Sequence, residues 1–241
     1  MRILALETAT EACSVALYIN GEILEQHEVA PRRHAELALA WIDALLREAG
    51  MVRSQLDAIA CGRGPGAFTG VRLAVAMTQG LALALDRPVL GVSTLEALAL
   101  PAMRVLDASP ARPTAVLAAI DARMGEVYLA RFARAGSQGW RPQGEEIVIA
   151  PQDVGLPAAG AWVGVGTGFA AAGGVLASRW QAQLETVDAE ALPRAGDIAR
   201  LAVRALERGD DMQPEALQPA YLRNKVALTL VEQGRPVPVD S

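Results

Sequence analysis

Short apolar runs broken by turn residues fill the first hundred positions. Ile3 to Glu7 is one such run, Cys13 to Ile19 a second and Glu22 to Val29 a third. Asn20-Gly21, between the last two, predicts a two-residue hairpin because both positions tolerate positive φ. After Pro31 the period changes, and Ala35 to Ala49 repeats apolar residues at helical spacing until Gly50 stops it. Asp57 to Cys61 predicts a buried strand, Gly62 to Gly70 a glycine-rich loop, Val71 to Leu85 a second helix and Pro88 to Val92 another strand. Ser93-Thr94-Leu95-Glu96 has the form of a capping box and opens a third helix. Helices alternating with strands define the α/β class.

The pattern weakens past residue 100. Prolines, a serine and an aspartate between Pro101 and Pro113 interrupt it and predict a boundary, giving units 1–105 and 106–241. In the second unit, Ala115 to Asp121 and Glu126 to Phe132 predict paired strands around the turn Ala122 to Gly125. Glu145 to Ile149 and Ala161 to Val165 predict further strands, Gly196 to Glu207 a closing helix, and the tail from Pro214 an extended segment. Three antiparallel strands followed by alternating helices and strands is the order of a ribonuclease H-like half, the building block of the actin-like ATPase (ASKHA) fold. Two subdomains are expected, the second carrying the C-terminal helix and tail.

Composition narrows the classes of function. A hydrophobic share of 52% against 20% charged residues excludes extended disorder. The formal net charge of -5 leaves no strong basic field with which the chain alone would grip nucleic acid. Two cysteines, Cys13 and Cys61, and a start without a charged n-region and apolar h-region point to a reducing cytoplasm. The uncharged run Val154 to Ser178 is the one stretch resembling a membrane span, but Pro157 and its glycines make it too weakly apolar.

Candidate chemistry lies in two turns and one loop. Glu7-Thr8-Ala9-Thr10 sits at the tip of the first hairpin, where an actin-like ATPase places an acidic residue and hydroxyls around metal and phosphate. The alternative is turn chemistry, in which these side chains satisfy backbone donors. Asp121 begins the corresponding hairpin of the second unit and carries the same two readings. The loop Gly62 to Gly70 either aims N–H groups at an anion or makes a tight strand-to-helix turn, with Arg63 and Arg72 beside it. It lacks the Lys-Ser/Thr pair of a Walker loop, and Pro65 breaks a dinucleotide fingerprint. His27 and His34 flank Pro31 and pair with neither cysteine, so no zinc site is expected, and His34 reads as a cap or surface residue. No Gly-x-Ser-x-Gly elbow is present.

Both early helices carry more apolar circumference than one sheet contact covers. On a wheel of about 100° per residue, Leu37, Trp41 and Leu45 form one stripe of the first helix while Leu39, Ile42 and Leu46 form another. In the second helix, Arg72 and Gln79 share the polar stripe, and Ala74, Met77, Leu81 and Leu85 stand opposite. Such two-sided helices imply a partner or a second layer.

At these residues the chain resembles a known family. ALETATEACSVAL at 5–17, GRGPGAFTGVRLAVAMTQGLAL at 62–83, GVSTLEALA at 91–99, DARMGEVY at 121–128 and YLRN at 221–224 are similar to TsaB (YeaZ). That family supplies the accessory subunit of the bacterial machinery making N6-threonylcarbamoyladenosine in tRNA. The resemblance implies a non-catalytic scaffold without a cofactor. It would pair with a TsaD-like catalytic subunit and thereby a TsaE-like ATPase, form a homodimer when alone and meet tRNA only through the complex. The positions matching TsaD's metal-binding histidines are Thr94 and Leu98, which do not ligate metal as imidazole does. The expected partner interface is Trp41, Leu45, Gly70, Ala74, Met77 and Leu81, with Gly70 and Ala74 letting two such helices approach closely. Glu7, Thr8, Thr10 and Asp121 are then remnants of phosphate loops. A stand-alone actin-like ATPase or kinase using those same four residues is the competing class.

Overall fold

In the computed structural model, which describes residues 1–108, 115–136, 139–155 and 160–223, alternation within single strands separates the hydrophobic layers. Strand β1 (Arg2–Glu7) turns Ile3 and Ala5 to one side and Leu4 and Leu6 to the other. β2 (Ala12–Ile19) and β3 (Glu22–Val29) follow as an antiparallel meander, with Asn20 at φ 49° and Gly21 at φ 110° in the turn. β4 (Ala58–Gly62) and β5 (Val89–Val92) add in parallel, giving the order β3-β2-β1-β4-β5. Helices α1 (His34–Glu48) and α2 (Phe68–Leu85) cover the Leu4 and Leu6 side, and α3 (Thr94–Asp107) covers the other. Ser93 caps α3, its Oγ accepting from Glu96 N at 3.1 Å.

The second sheet repeats the plan. β6 (Ala115–Arg123) and β7 (Glu126–Arg134) form its hairpin, β8 (Trp140–Pro142) and β9 (Ile147–Ile149) pair with β7, and β10 (Trp162–Val165) and β11 (Leu184–Asp188) extend it in parallel. α4 (Ala171–Arg179), with Phe169 and Trp180, covers its outer face.

Three sequence-based expectations need correction. α5 (Ala195–Arg208) and the tail do not belong to a unit 106–241: Ile198 and Ala202 of α5 share one core with Ile3, Leu98 and Val116, filling the layer between the sheets. The N-terminus of α5 is fixed on the first sheet by Ser14 Oγ, which accepts from Ala195 N at 2.9 Å, and by Glu25 Oε1, which accepts from Gly196 N at 2.9 Å. A carboxylate suits that positive end of the helix. Met212 then bridges to Val89, and Leu217 enters the core under α2. Pro101 does not end α3, because it lies on the exposed side where a missing N–H is tolerated; 109–113 of the expected boundary lie outside the described residues. Finally, Val154–Ser178 is not the one stretch resembling a membrane span: α2 is long and apolar enough by length and composition, with mean hydropathy 1.4 over 18 residues of which only 28% are buried.

Candidate functional site

The first hairpin tip is built by side chains that turn inward. Glu7 ends the apolar run of β1 fully buried; its Oε1 accepts from Ala9 N at 2.7 Å and its Oε2 from Thr94 Oγ1 at 3.1 Å. Burial pushes its carboxyl up from 4.5 to about 7 against the opposing pull of those hydrogen bonds. Thr8 Oγ1 donates to Gly70 O at 2.7 Å. The glycine-rich loop exists to permit this packing. A Cβ at Gly62 would fall 1.9 Å from Glu7 Oε2, one at Gly66 2.4 Å from Ala9 O, and one at Gly70 1.9 Å from Thr8 O. Loop backbone groups are engaged internally as well: Ala67 N donates to Ala9 O at 2.7 Å, and Thr94 N donates to Gly64 O at 2.9 Å.

Because the folded chain holds the Glu7 proton more tightly than the unfolded one, the contribution of this group to stability is greatest below pH 4.5 and is lost progressively as pH rises from there through about 7. The full penalty above that pH is on the order of 3 kcal/mol. Glu7→Gln keeps an acceptor for Ala9 N and removes the charge. Its expected effect is higher melting temperature at pH 8, little change at pH 5, and a flatter pH profile in thermal unfolding; equal profiles would contradict this assignment.

Thr10 and Asp121 behave differently. Both line a cleft of about 710 Å³ between the two hairpins, together with His34, Arg123, Tyr128 and Tyr221. Asp121 Oδ1 accepts from Arg123 N at 2.8 Å, and Oδ2 pairs with the Arg123 guanidinium at 3.0 Å. Thus the cleft receives two of the four phosphate-loop candidates, while Glu7 and Thr8 serve the packing beneath it. The C-terminal segment also enters: Arg223 pairs with Glu126 and donates to Ala122 O at 3.1 Å. His34 Nε2 lies 3.0 Å from Thr10 O, which fixes the ring to the first tip at the start of α1. Burial pushes the Cys13 thiol to about 11 and the Cys61 thiol to about 12, so neither offers a thiolate near neutral pH.

The helix faces redistribute the expected interface residues. Leu45, Gly70 and Ala74 are buried in the first subdomain and cannot form an outer surface, because α1 and α2 turn them onto the sheet. Both leucine stripes of α1 contribute to that buried arc, leaving Leu39 outside, and Trp41 is half-buried against the same core. Met77 and Leu81 are also half-buried. The outward line of α2 is instead Phe68, Arg72, Ala76, Gly80, Leu83 and Ala84, with Phe68 51% and Leu83 56% exposed. Arg72 stacks over Phe68 at 3.4 Å and its Nε donates to Tyr221 Oη at 2.8 Å; Gln79 Nε2 donates to Pro214 O at 2.9 Å. The tail therefore engages both Arg72 and Gln79 of α2, while Ala76, Gly80, Leu83 and Ala84 stay open beside them. Ala76, Gly80 and Ala84 recur one helical turn apart, a spacing present in the sequence but overlooked there.

Two hairpin-led sheets closed around α3 and α5, with a cleft between the hairpin tips, define an α/β protein of the TsaD and YeaZ fold type. The family described as TsaD, tRNA N6-adenosine threonylcarbamoyltransferase, matches residues 22–229. The chain is 42% identical over 236 residues to the tRNA threonylcarbamoyladenosine biosynthesis protein TsaB of Escherichia coli K12, covering 94% of this chain and 96% of that one. It is 38% identical to the TsaB of Haemophilus influenzae, covering 94% and 95%. The solved structure of YeaZ from Pseudomonas aeruginosa superposes with a TM-score of 0.78 at 44% identity, covering 92% of this chain and 99% of that one. The chain belongs to the TsaB (YeaZ) family.

Proposed function

We propose that this chain is a cytoplasmic, non-catalytic scaffold subunit in tRNA threonylcarbamoyladenosine biosynthesis. It docks a TsaD-like catalytic subunit on the outward face of α2 and, through that pair, a TsaE-like ATPase. The assembly transfers the threonylcarbamoyl group to N6 of the tRNA adenosine next to the anticodon. The observation that carries this reading is α2 itself, a helix with mean hydropathy 1.4 over 18 residues of which only 28% are buried. An open apolar face of that kind marks a protein–protein surface. Ala76, Gly80 and Ala84 on it keep side chains short where a second helix must approach. Without the catalytic subunit the same face pairs with its copy in an isologous dimer. At a net charge of -5, tRNA joins through the assembly rather than through this chain alone, and no membrane is involved.

The stand-alone ATPase or kinase is the weaker reading, since Glu7 and Thr8 spend their polar atoms inside the fold and Arg223 sits at the second hairpin. Purification from the native host, followed by an ATPase assay on the isolated chain, tests both. The expected result is a co-purifying TsaD-like subunit and no steady ATP turnover by the chain alone. Turnover lost in Asp121→Asn would establish the enzyme instead.

A further inference from the structure

Arg63, in the glycine-rich loop, does not line the cleft between the hairpins. It lines a separate cavity of about 580 Å³ on the other side of the loop, bounded by β5, the first half of α3, β8 and the last turns of α5. Gly91 makes this course possible: a Cβ there would meet Leu217 Cδ1 at 2.7 Å and Arg63 Cδ at 3.4 Å. The Arg63 guanidinium reaches to 3.9 Å from Glu146 Oε2, and Glu146 Oε1 accepts the Ser93 hydroxyl.

The charges around this cavity do not balance. Arg208 is paired with Asp210 at 2.7 Å, and Arg63 faces Glu146. Arg141 and Arg204 also line the cavity, both exposed, and neither has an ion-pair partner among the described residues. Two guanidiniums without an ion-pair partner on one cavity offer a site for an anion, and their planar forks match phosphate oxygens. Trp140 supplies an aromatic wall, fixed by its Nε1 donating to Asp107 Oδ1 at 3.0 Å and by the Arg134 guanidinium 5.3 Å from the ring centroid. Glu96 lines the interior with a carboxyl that no protein donor engages among the described residues, and Leu100, Met103 and Leu201 complete an apolar lining. Burial, then the nearby Glu146, pushes the Glu96 carboxyl up, while Arg208, Arg204 and Arg63 oppose that.

We propose that this cavity binds a nucleoside monophosphate unit, free or as one residue of RNA, with the phosphate between Arg141 and Arg204 and the base against Trp140. Each part of such a ligand meets a matching surface. Guanidinium forks take the phosphate, an indole takes the π-face of a base, and the Glu96 carboxyl takes a ribose hydroxyl or an exocyclic amine. Inorganic phosphate meets only the arginines, so it binds more weakly than the nucleotide. The site is distinct from the hairpin cleft and from the outward face of α2.

The test is titration of the isolated full chain with AMP, inorganic phosphate and a short single-stranded oligoribonucleotide, followed by NMR and tryptophan fluorescence. The expected result is saturable AMP binding with shifts at Trp140, Glu96 and Arg204, and displacement by phosphate only at much higher concentration. Arg141→Ala and Arg204→Ala, both surface changes, should each weaken AMP by about tenfold or more with unchanged melting. Tighter binding of the oligonucleotide than of AMP assigns the site to an RNA residue and would also overturn the reading that tRNA joins only through the assembly; the reverse assigns it to a free nucleotide. Absence of saturable AMP binding, undiminished affinity in both arginine variants, or shifts confined to the Thr10 and Asp121 cleft would overturn the proposal. Partner docking is read separately by co-purification, so failure here leaves that reading intact.

Discussion

Gly80→Arg should yield a folded monomer that has lost both self-association and docking to the catalytic subunit. A Cβ at Gly80 meets nothing within 4 Å, so the isolated chain has room for the new side chain. Replacing glycine inside a helix also removes a propensity penalty of about 1 kcal/mol, so the monomer should melt no lower than the parent. In an interface of roughly 1,200 to 2,000 Å², by contrast, the arginine is driven between two apolar helices without a carboxylate to meet it. A loss of about 100-fold in affinity, or about 2.7 kcal/mol, is the expected scale at a central position. Opposite signs for folding and association distinguish a surface effect from general damage. Ala74→Arg would not make that distinction, because Ala74 is wholly buried and a charge there disrupts the core. Circular dichroism melts with sedimentation equilibrium and pull-down measure the two quantities; unchanged association of both kinds contradicts the assigned face.

Gly70→Ala should damage the fold itself. The added methyl would lie 1.9 Å from the Thr8 carbonyl oxygen and 3.0 Å from its carbon, and both obstacles are backbone in the central strand's turn. The same contact carries the hydrogen bond from Thr8 Oγ1 to Gly70 O at 2.7 Å, so α2 cannot retreat without breaking it. Overpacking against a rigid neighbour costs about 3 kcal/mol. In a chain of this size that lowers the melting temperature by roughly 6 to 12 °C. Gly80→Ala, at an open position, serves as the control and should melt slightly higher than the parent. Equal melting of the Gly70→Ala variant and the parent would show that the loop has slack the geometry denies.

Much of the first sheet was legible because its signals are local. The Asn20-Gly21 turn fixes β2 against β3, and Ser93 with Glu96 marks the start of α3. The fold class followed from the order of those elements. What escaped the sequence reading lacks such signals. α4 contains Ala172, Gly173 and Gly174 at positive φ, and β8 is three residues long; β11 is mostly exposed and presents no buried alternation. The return of α5 to the first sheet depends on Glu25 and Ser14, each more than half the chain away in sequence. Site roles were harder still. Glu7 reads as a phosphate-loop acid by position alone, and its partner Thr94 is 87 residues distant, so burial and hydrogen bonding decide what no spacing could. That Leu45, Gly70 and Ala74 turn inward was hidden for a simpler reason: a helix wheel ranks stripes by polarity, and on α2 nearly every stripe is apolar. Only the sheet decides that Ala74 points in while Ala76 and Gly80 point out.

Hydrogen–deuterium exchange on the chain, alone as a dilute monomer and then with a TsaD-like subunit, tests the proposed docking face most directly. The expected result is slowed exchange across α2, greatest around Ala76 to Ala84, with the Thr10 and Asp121 cleft unchanged. Protection confined to the cleft or to the second sheet, with α2 exchanging as in the free chain, would contradict it.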